Sequence, residues 1–275
     1  MKLCISQATT LSAAFADDLS AFADVGWTAV ELWLTKLEKH LETSTIDATR
    51  QLFQDKKILP VAAAYQGGLL LSQGEQRKAH FDHFRRRLEL CQALGIPTML
   101  LVADFVAALG DAGRYAASGG LQRAVVSLTQ AAQWAAAFDV RLALEFRGSD
   151  AFCTNLESAL GLVGQCGEPN VGLCLDLFHY YKGPSKTEDL AGLTRANLAH
   201  VQFCDMAGVP RELMTDADRV LPGDGDFHFG PIVEMLKRIG YQGYVSLEVM
   251  NPVFWQMKLT QVAELGLMAL RRVID

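Results

Sequence analysis

No apolar run in the 275-residue chain approaches the length of a membrane span, and no Pro-rich or Ser-rich stretch divides it. Neither a bilayer-spanning helix nor a linker between separate domains is expected. The six cysteines, Cys4, Cys91, Cys153, Cys166, Cys174 and Cys204, contain no C-x-x-C pair, and several lie in apolar runs where a thiol behaves as a small hydrophobe. They point to a reducing compartment. Basic charge is also short: 25 Lys and Arg face 31 Asp and Glu, for a net charge of −6, which leaves no global attraction for a polyanion. The one basic run, Arg85-Arg86-Arg87, is flanked by a helical apolar stripe and reads as a solvated helix face. Nucleic acid and membrane are therefore not expected partners. The amino terminus, Met1-Lys2-Leu3-Cys4-Ile5-Ser6, turns polar before an apolar signal core can form, and the cytoplasm is the expected location. A glycine-rich phosphate loop is missing too. Ser6-Gln7-Ala8-Thr9-Thr10 stands where a doubly wound dinucleotide fold would need one.

What remains is an ordinary globular composition, half hydrophobic and one fifth charged, in a chain of the right length for one large core. Short runs rich in Val, Ile and Leu alternate with segments of helical period, the pattern of βαβ units feeding a parallel sheet. Eight strands are expected, over residues 3–6, 29–33, 59–64, 98–102, 141–145, 172–176, 199–203 and 244–248. Between them Phe15, Leu19 and Phe22, then Phe81, Phe84, Leu88 and Cys91, then Leu121, Val125, Leu128 and Ala132 repeat at helical spacing. Gly26, Gly95 and Gly240 fall where helices should stop. The longest irregular segment is 103–120, read as a loop or broken helix after the fourth strand. The predicted fold class is α/β, a (β/α)8 TIM barrel, with a single domain over residues 1–275.

A parallel barrel builds its active site at the carboxyl ends of its strands. The last four end in polar residues: Leu142-Ala143-Leu144-Glu145, Leu173-Cys174-Leu175-Asp176, His200-Val201-Gln202-Phe203 and Val245-Ser246-Leu247-Glu248. Three carboxylates ending apolar strands need a cation or protons among them, because burying unpaired charge is costly. For any one of them alone, a salt bridge to a nearby Arg or Lys is an equal reading. Together, Glu145, Asp176, Glu248 and the Gln202 amide form a hard ligand set for one divalent metal ion, Mn2+ or Mg2+ ahead of Zn2+. His179 is a candidate substrate contact or outer ligand, and Arg219, in the turn-rich 218–225 segment, could hold a substrate oxygen or brace its loop. Trp33, with Tyr65, Phe254 and Trp255, could wall a sugar's C–H face or pack under loops. Glu31 reads as a supporting acid, Arg147 as a partner for a site carboxylate, and His200 as a core histidine.

Leu144-Glu145, Asp176-x-x-His179, His200-Val201-Gln202-x-x-Asp205, and the run from Asp218-Arg219-Val220-Leu221-Pro222-Gly223-x-Gly225 to Gly240-Tyr241-x-Gly243-x-Val245-Ser246-x-Glu248 occur in that order. In this the chain resembles, over essentially its whole length, the xylose-isomerase-like TIM barrels of the sugar phosphate isomerase/epimerase superfamily. The resemblance implies a metal held from strands five to eight, carried here onto Glu145, Asp176, position 202 and Glu248. Many epimerases of that family have His where this chain has Gln202, a departure associated with the dehydroshikimate-dehydratase-like branch. The relatives of endonuclease IV need further histidines at strands three and four, which this sequence lacks, so phosphodiester hydrolysis is disfavoured. The resemblance is compatible with a homo-oligomer, which no sequence feature demands.

The expected substrate is a small polyhydroxylated carbonyl compound. The expected chemistry is removal of the proton next to its carbonyl through an enediolate, with Glu145 and Glu248 as base and acid. Returning the proton to the other face gives an epimerase, to the neighbouring carbon an isomerase, and losing a β-hydroxyl gives a dehydratase of the dehydroshikimate or inosose type. A non-catalytic sugar-binding barrel is the reading from outside enzymology.

Overall fold

The computed structural model describes residues 1–104, 119–150 and 152–275. The irregular segment expected over 103–120 lies, apart from its ends, outside the described residues. The parallel strands are β1 (Lys2–Ser6), β2 (Ala29–Trp33), β3 (Leu59–Gln66), β4 (Thr98–Val102), β5 (Arg141–Glu145), β6 (Val171–Asp176), β7 (Leu198–Phe203) and β8 (Tyr244–Leu247). They run in the order β1-β8-β7-β6-β5-β4-β3-β2 as a closed barrel, and the fold is a TIM barrel. All eight lie where the apolar runs placed them, because strands buried on both faces read as continuous Val, Leu, Ile and Ala. Among the described residues no helix is long and apolar enough to cross a membrane.

The chain packs as two compact units, Met1–Ala64 with Val201–Asp275, and Tyr65–His200. In the first, the register aligns Cys4 with Ser246, Ser246 with Gln202, and Ser6 with Glu31. The helices α1 (Phe15–Asp24), α2 (Leu34–Leu41) and α3 (Ile46–Lys56) belong to this unit. Phe15, Leu19 and Phe22 are buried as their spacing predicts. A polar knot is buried with them: the Lys36 ammonium lies 2.6 Å from Asp18 Oδ2 and donates to the Thr10 carbonyl at 2.9 Å. Burial pushes the Asp18 carboxyl up to about 6, against the opposing pull of Lys36 and of hydrogen bonds from Thr10 and Gln7. Asp205–Met206 and Arg219–Val220 pair as a short antiparallel ribbon beyond β7.

The second unit holds α4 (Gly74–Leu94), α5 (Gly120–Ala136), α6 (Leu156–Cys166) and α7 (Leu177–Lys182). Phe81, Phe84, Leu88 and Cys91 form the buried face of α4, and Gly95 ends that helix with φ of +69°, a left-handed cap that an L side chain resists. Arg87 corrects the reading of the basic run. It is buried on the same face, and its guanidinium donates to the Tyr65 carbonyl at 2.9 Å and Gln66 Oε1 at 3.2 Å. Helix α5 is rotated from its expected stripe: Leu121 is 49% exposed, and Ala124, Leu128, Ala131, Ala132 and Ala135 face inward. Alanines let a helix approach a sheet closely, but their weak hydrophobicity hid this face behind Leu121 and Val125. All six cysteines are buried thiols, none in a disulfide among the described residues, as small hydrophobes would be.

Candidate active site

Within the second unit, Glu145 is the last residue of β5 and Asp176 the last of β6. Asp176 also caps α7, with Oδ1 accepting from the Phe178 backbone N–H at 2.7 Å. That bond turns its second oxygen toward His179, one helical step further on, whose Nε2 lies 3.9 Å from Asp176 Oδ2 and 3.3 Å from Glu145 Oε1. One ligand atom from each of the three residues lies within 4.8 Å of the others. Asp176, His179 and Glu145 are 0%, 1% and 6% exposed.

The backbone around this cluster is tightly packed. A side chain on Gly148, in the loop after Glu145, would reach within 2.5 Å of the Gly183 nitrogen and 2.8 Å of the His179 carbonyl oxygen. Glycine is required at that close approach of backbone to backbone. Two buried carboxylates this near to one another repel unless positive charge sits with them. Two oxygens and an imidazole nitrogen, all able to meet at one point, are a donor set that fits a divalent ion. The Glu145 and Asp176 assignments thus fall together in space. His179, expected at the substrate or as an outer ligand, stands with the two carboxylates.

Of the remaining predicted residues, Gln202, Glu31, Glu248, Arg219 and Trp33 lie in the first unit, and Arg147 and His200 in the second. Gln202 Nε2 donates to Glu31 Oε1 at 3.0 Å, so the supporting acid read from the sequence holds this amide. A carboxylate can only accept, which fixes the nitrogen toward Glu31 and turns the amide oxygen away from it. Burial, and then the Glu31 charge, raise the neighbouring Cys4 thiol well above its ordinary value. Glu248 follows β8, and its Oε2 accepts from Arg219 at 3.1 Å. Arg219 is 1% exposed, and the rest of its fork grips Asp216 Oδ1 at 2.6 Å from one terminal nitrogen and 3.0 Å from Nε. Its planar donors thus reach two carboxylates, and one terminal nitrogen also lies 3.7 Å from the Cys204 sulfur. Trp33 is half-buried at the end of β2, and its backbone N–H donates to Gln7 Oε1 at 3.0 Å. Arg147 pairs with Asp150 at 2.9 Å, three residues along its own loop. His200 is buried.

Two participants were missed in the sequence. Asp216 could have been found from the Asp-x-x-Arg spacing to Arg219, which suits an ion pair across one turn. Asp205 was seen as part of a motif without a role. Its carboxylate accepts from the backbone N–H groups of Met206, Gly223, Gly225 and Phe227 at 2.8 to 3.0 Å, and so moulds the loop that follows Arg219.

Known proteins similar to this chain bear on its family and fold. The chain is 30% identical over 263 residues to inosose isomerase of Halalkalibacterium halodurans, covering 94% of this chain and 90% of that protein. It is 28% identical over 263 residues to inosose isomerase of Bacillus subtilis, covering 94% and 92%. A 3-dehydroshikimate dehydratase of Pseudomonas aeruginosa is 26% identical over 251 residues, 89% of this chain but 37% of that longer protein. The crystal structure of the IolI protein with a bound zinc atom superposes with a TM-score of 0.91 at 25% identity, covering 100% of this chain and 98% of that one. The model of the xylose isomerase-like TIM barrel family matches residues 19–273, and the chain belongs to that family.

Proposed function

We propose that this chain is a metal-dependent isomerase or epimerase of a small polyhydroxylated ketone, with inososes the first substrates to try. The observation that carries the reading is the buried Glu145–Asp176–His179 cluster, which joins two carboxylates and an imidazole within 4.8 Å. The names and coverage of the inosose isomerase relatives support the substrate class. The proposed ligand set is Glu145 and Asp176 with Gln202 and Glu248, as the order of strand-end residues in the family suggests, and with His179 beside them. Mn2+, which accepts both carboxylate oxygen and imidazole nitrogen, is favoured over Mg2+, and Zn2+ suits the same donors. When bound, such an ion supplies Lewis acidity toward a carbonyl oxygen.

The protein's own groups do the proton work. One of Glu145 and Glu248 accepts the proton from the carbon next to the carbonyl, and the other returns a proton to carbon. Return to the opposite face of the same carbon inverts it. Return to the former carbonyl carbon, with the adjacent hydroxyl proton passing to the former carbonyl oxygen, moves the ketone by one position. Arg219 orients Glu248 through Oε2, and His179 orients Glu145 through Oε1. Departure of a β-hydroxyl would make the same proton removal a dehydration. The dehydroshikimate dehydratase relatives and Gln202 favour this as the second reading.

The deciding experiment incubates metal-loaded protein in D2O with inososes, ketoses and dehydroshikimate and follows the products by NMR. Deuterium is expected beside the carbonyl of an inosose, with a shifted or inverted product. Elimination from dehydroshikimate alone would select the dehydratase, and no exchange with any member of the panel would favour a barrel that binds sugars without turning them over. The ligand role of Gln202 is open to a separate check. Gln202→Ala should lose metal on dialysis that the unaltered protein keeps, as read by elemental analysis; equal retention removes Gln202 from the set.

A further inference from the structure

The turn Gln7–Thr10, which replaces the absent phosphate loop after β1, is wholly buried. We propose that this turn is the positioning element for Glu248, and that Thr9 is the positioning residue within it. The inference rests on the role given to Glu248 above. The pairing of β1 with β8 ends at Ile5 opposite Leu247, and the next residue of β1 leaves the ladder. Glu248 therefore lies just beyond the regular sheet, where the peptide groups facing β1 have lost their strand partner. The Thr9 hydroxyl takes that partner's place, donating to the Leu247 carbonyl at 3.1 Å and accepting from the Val249 N–H at 3.1 Å. On the opposite side, Glu248 N–H donates to the Phe203 carbonyl of β7 at 3.0 Å. The backbone on both sides of Glu248 is thus fixed by one side-chain hydroxyl and one strand.

The turn itself is anchored. Thr10 Oγ1 donates to Asp18 Oδ1 at 2.7 Å, Gln7 Nε2 to Asp18 Oδ2 at 3.1 Å, and Lys36 holds both Asp18 and the Thr10 carbonyl. The same four residues carry two further fixings: Ala8 offers its carbonyl to Trp255 Nε1 at 3.0 Å, and Gln7 accepts the Trp33 N–H. A buried ion pair at the base of the turn therefore locates Glu248 and two tryptophans through one rigid segment. A methyl group could fill Thr9's volume, but only a hydroxyl can donate and accept across Glu248.

The test compares Thr9→Val, Thr9→Ser and Glu248→Gln in the deuterium-exchange assay, with thermal melting of each. Thr9→Val is expected to lower the exchange rate about ten- to hundredfold with substrate KM within about threefold, since displacing a catalytic group by a fraction of an ångström has effects of this order. Thr9→Ser should return to within about threefold of the unaltered protein. A Thr9→Val rate equal to the unaltered one, beside an inactive Glu248→Gln, overturns the positioning role alone. A Thr9→Ser rate as low as that of Thr9→Val overturns it as well, since packing of the methyl would then be the cause. An active Glu248→Gln removes the reading of Glu248 and this inference with it. Amide exchange at Val249 does not depend on any variant folding: strong protection in the unaltered protein is expected, and exchange at the rate of an open loop overturns the proposal.

Discussion

Glu248→Gln and Glu145→Gln are each expected to lower the deuterium-exchange rate by roughly 10²–10⁴-fold, the usual contribution of a positioned general acid or base, while the protein still melts cooperatively. The substitutions are nearly isosteric, which is why the fold should survive them. At Glu248 the amide oxygen of Gln can still accept from Arg219, and Arg219 keeps Asp216 as its second anchor. At position 145 the amide can still meet His179 across the 3.3 Å gap. An amide, however, has no basic oxygen to receive a proton from carbon. Binding geometry is largely kept while proton transfer is lost, so the fall belongs in kcat more than in KM. Full exchange in both variants would sink the proposed chemistry and leave the cluster as a structural feature. Full exchange in one alone would move both proton transfers onto the other carboxylate.

The positions of the strands were legible because the parallel barrel buries both faces of each strand, and the β5 and β6 runs end in Glu145 and Asp176 without ambiguity. The joining of His179 to them follows from a local rule, since a residue three positions after a helix cap lies over that cap. Other parts had no such signal. The α5 face is built from alanines, which carry little hydrophobic contrast, and Arg87 is buried by two acceptors at the end of β3 that no charge pattern announces. Thr9 meets residues 247 and 249, more than two hundred positions away, through backbone atoms that every residue possesses. Sequence pattern reports which side chains prefer burial. It says little about which backbone groups will be left without a ladder partner and must be met by a side chain. The contact of Arg219 with Glu248 likewise joins segments that no local pattern links.

Asp205→Asn should destabilise the protein by about 2–6 kcal/mol, although it changes one atom and removes no volume. Asp205 is fully buried, and each of its oxygens accepts twice: Oδ1 from Met206 and Phe227, Oδ2 from Gly223 and Gly225. An asparagine in this place must present its NH2 to one of those pairs, whichever way the amide is turned. Two N–H groups, buried or part-buried, then face a donor, at a cost of about 1–3 kcal/mol each. The site leaves no room for escape, since even a methyl group on Gly225 would come within 2.5 Å of Oδ1. For a chain of this size the loss corresponds to a melting temperature lower by on the order of 10 °C. The damage should be centred on residues 219–227, because the carboxylate holds the loop at its far end while Arg219 pairs with Met206 at the near end. Limited proteolysis should therefore cut that loop first. Arg219 would lose its fixed distance from Glu248, and the exchange rate should fall with it. A variant that melts within about 1 °C of the unaltered protein and resists cleavage would mean that the four backbone donors find other acceptors. The loop would then hold its shape without Asp205, and the position of Arg219 would have to come from Asp216 and the ribbon alone.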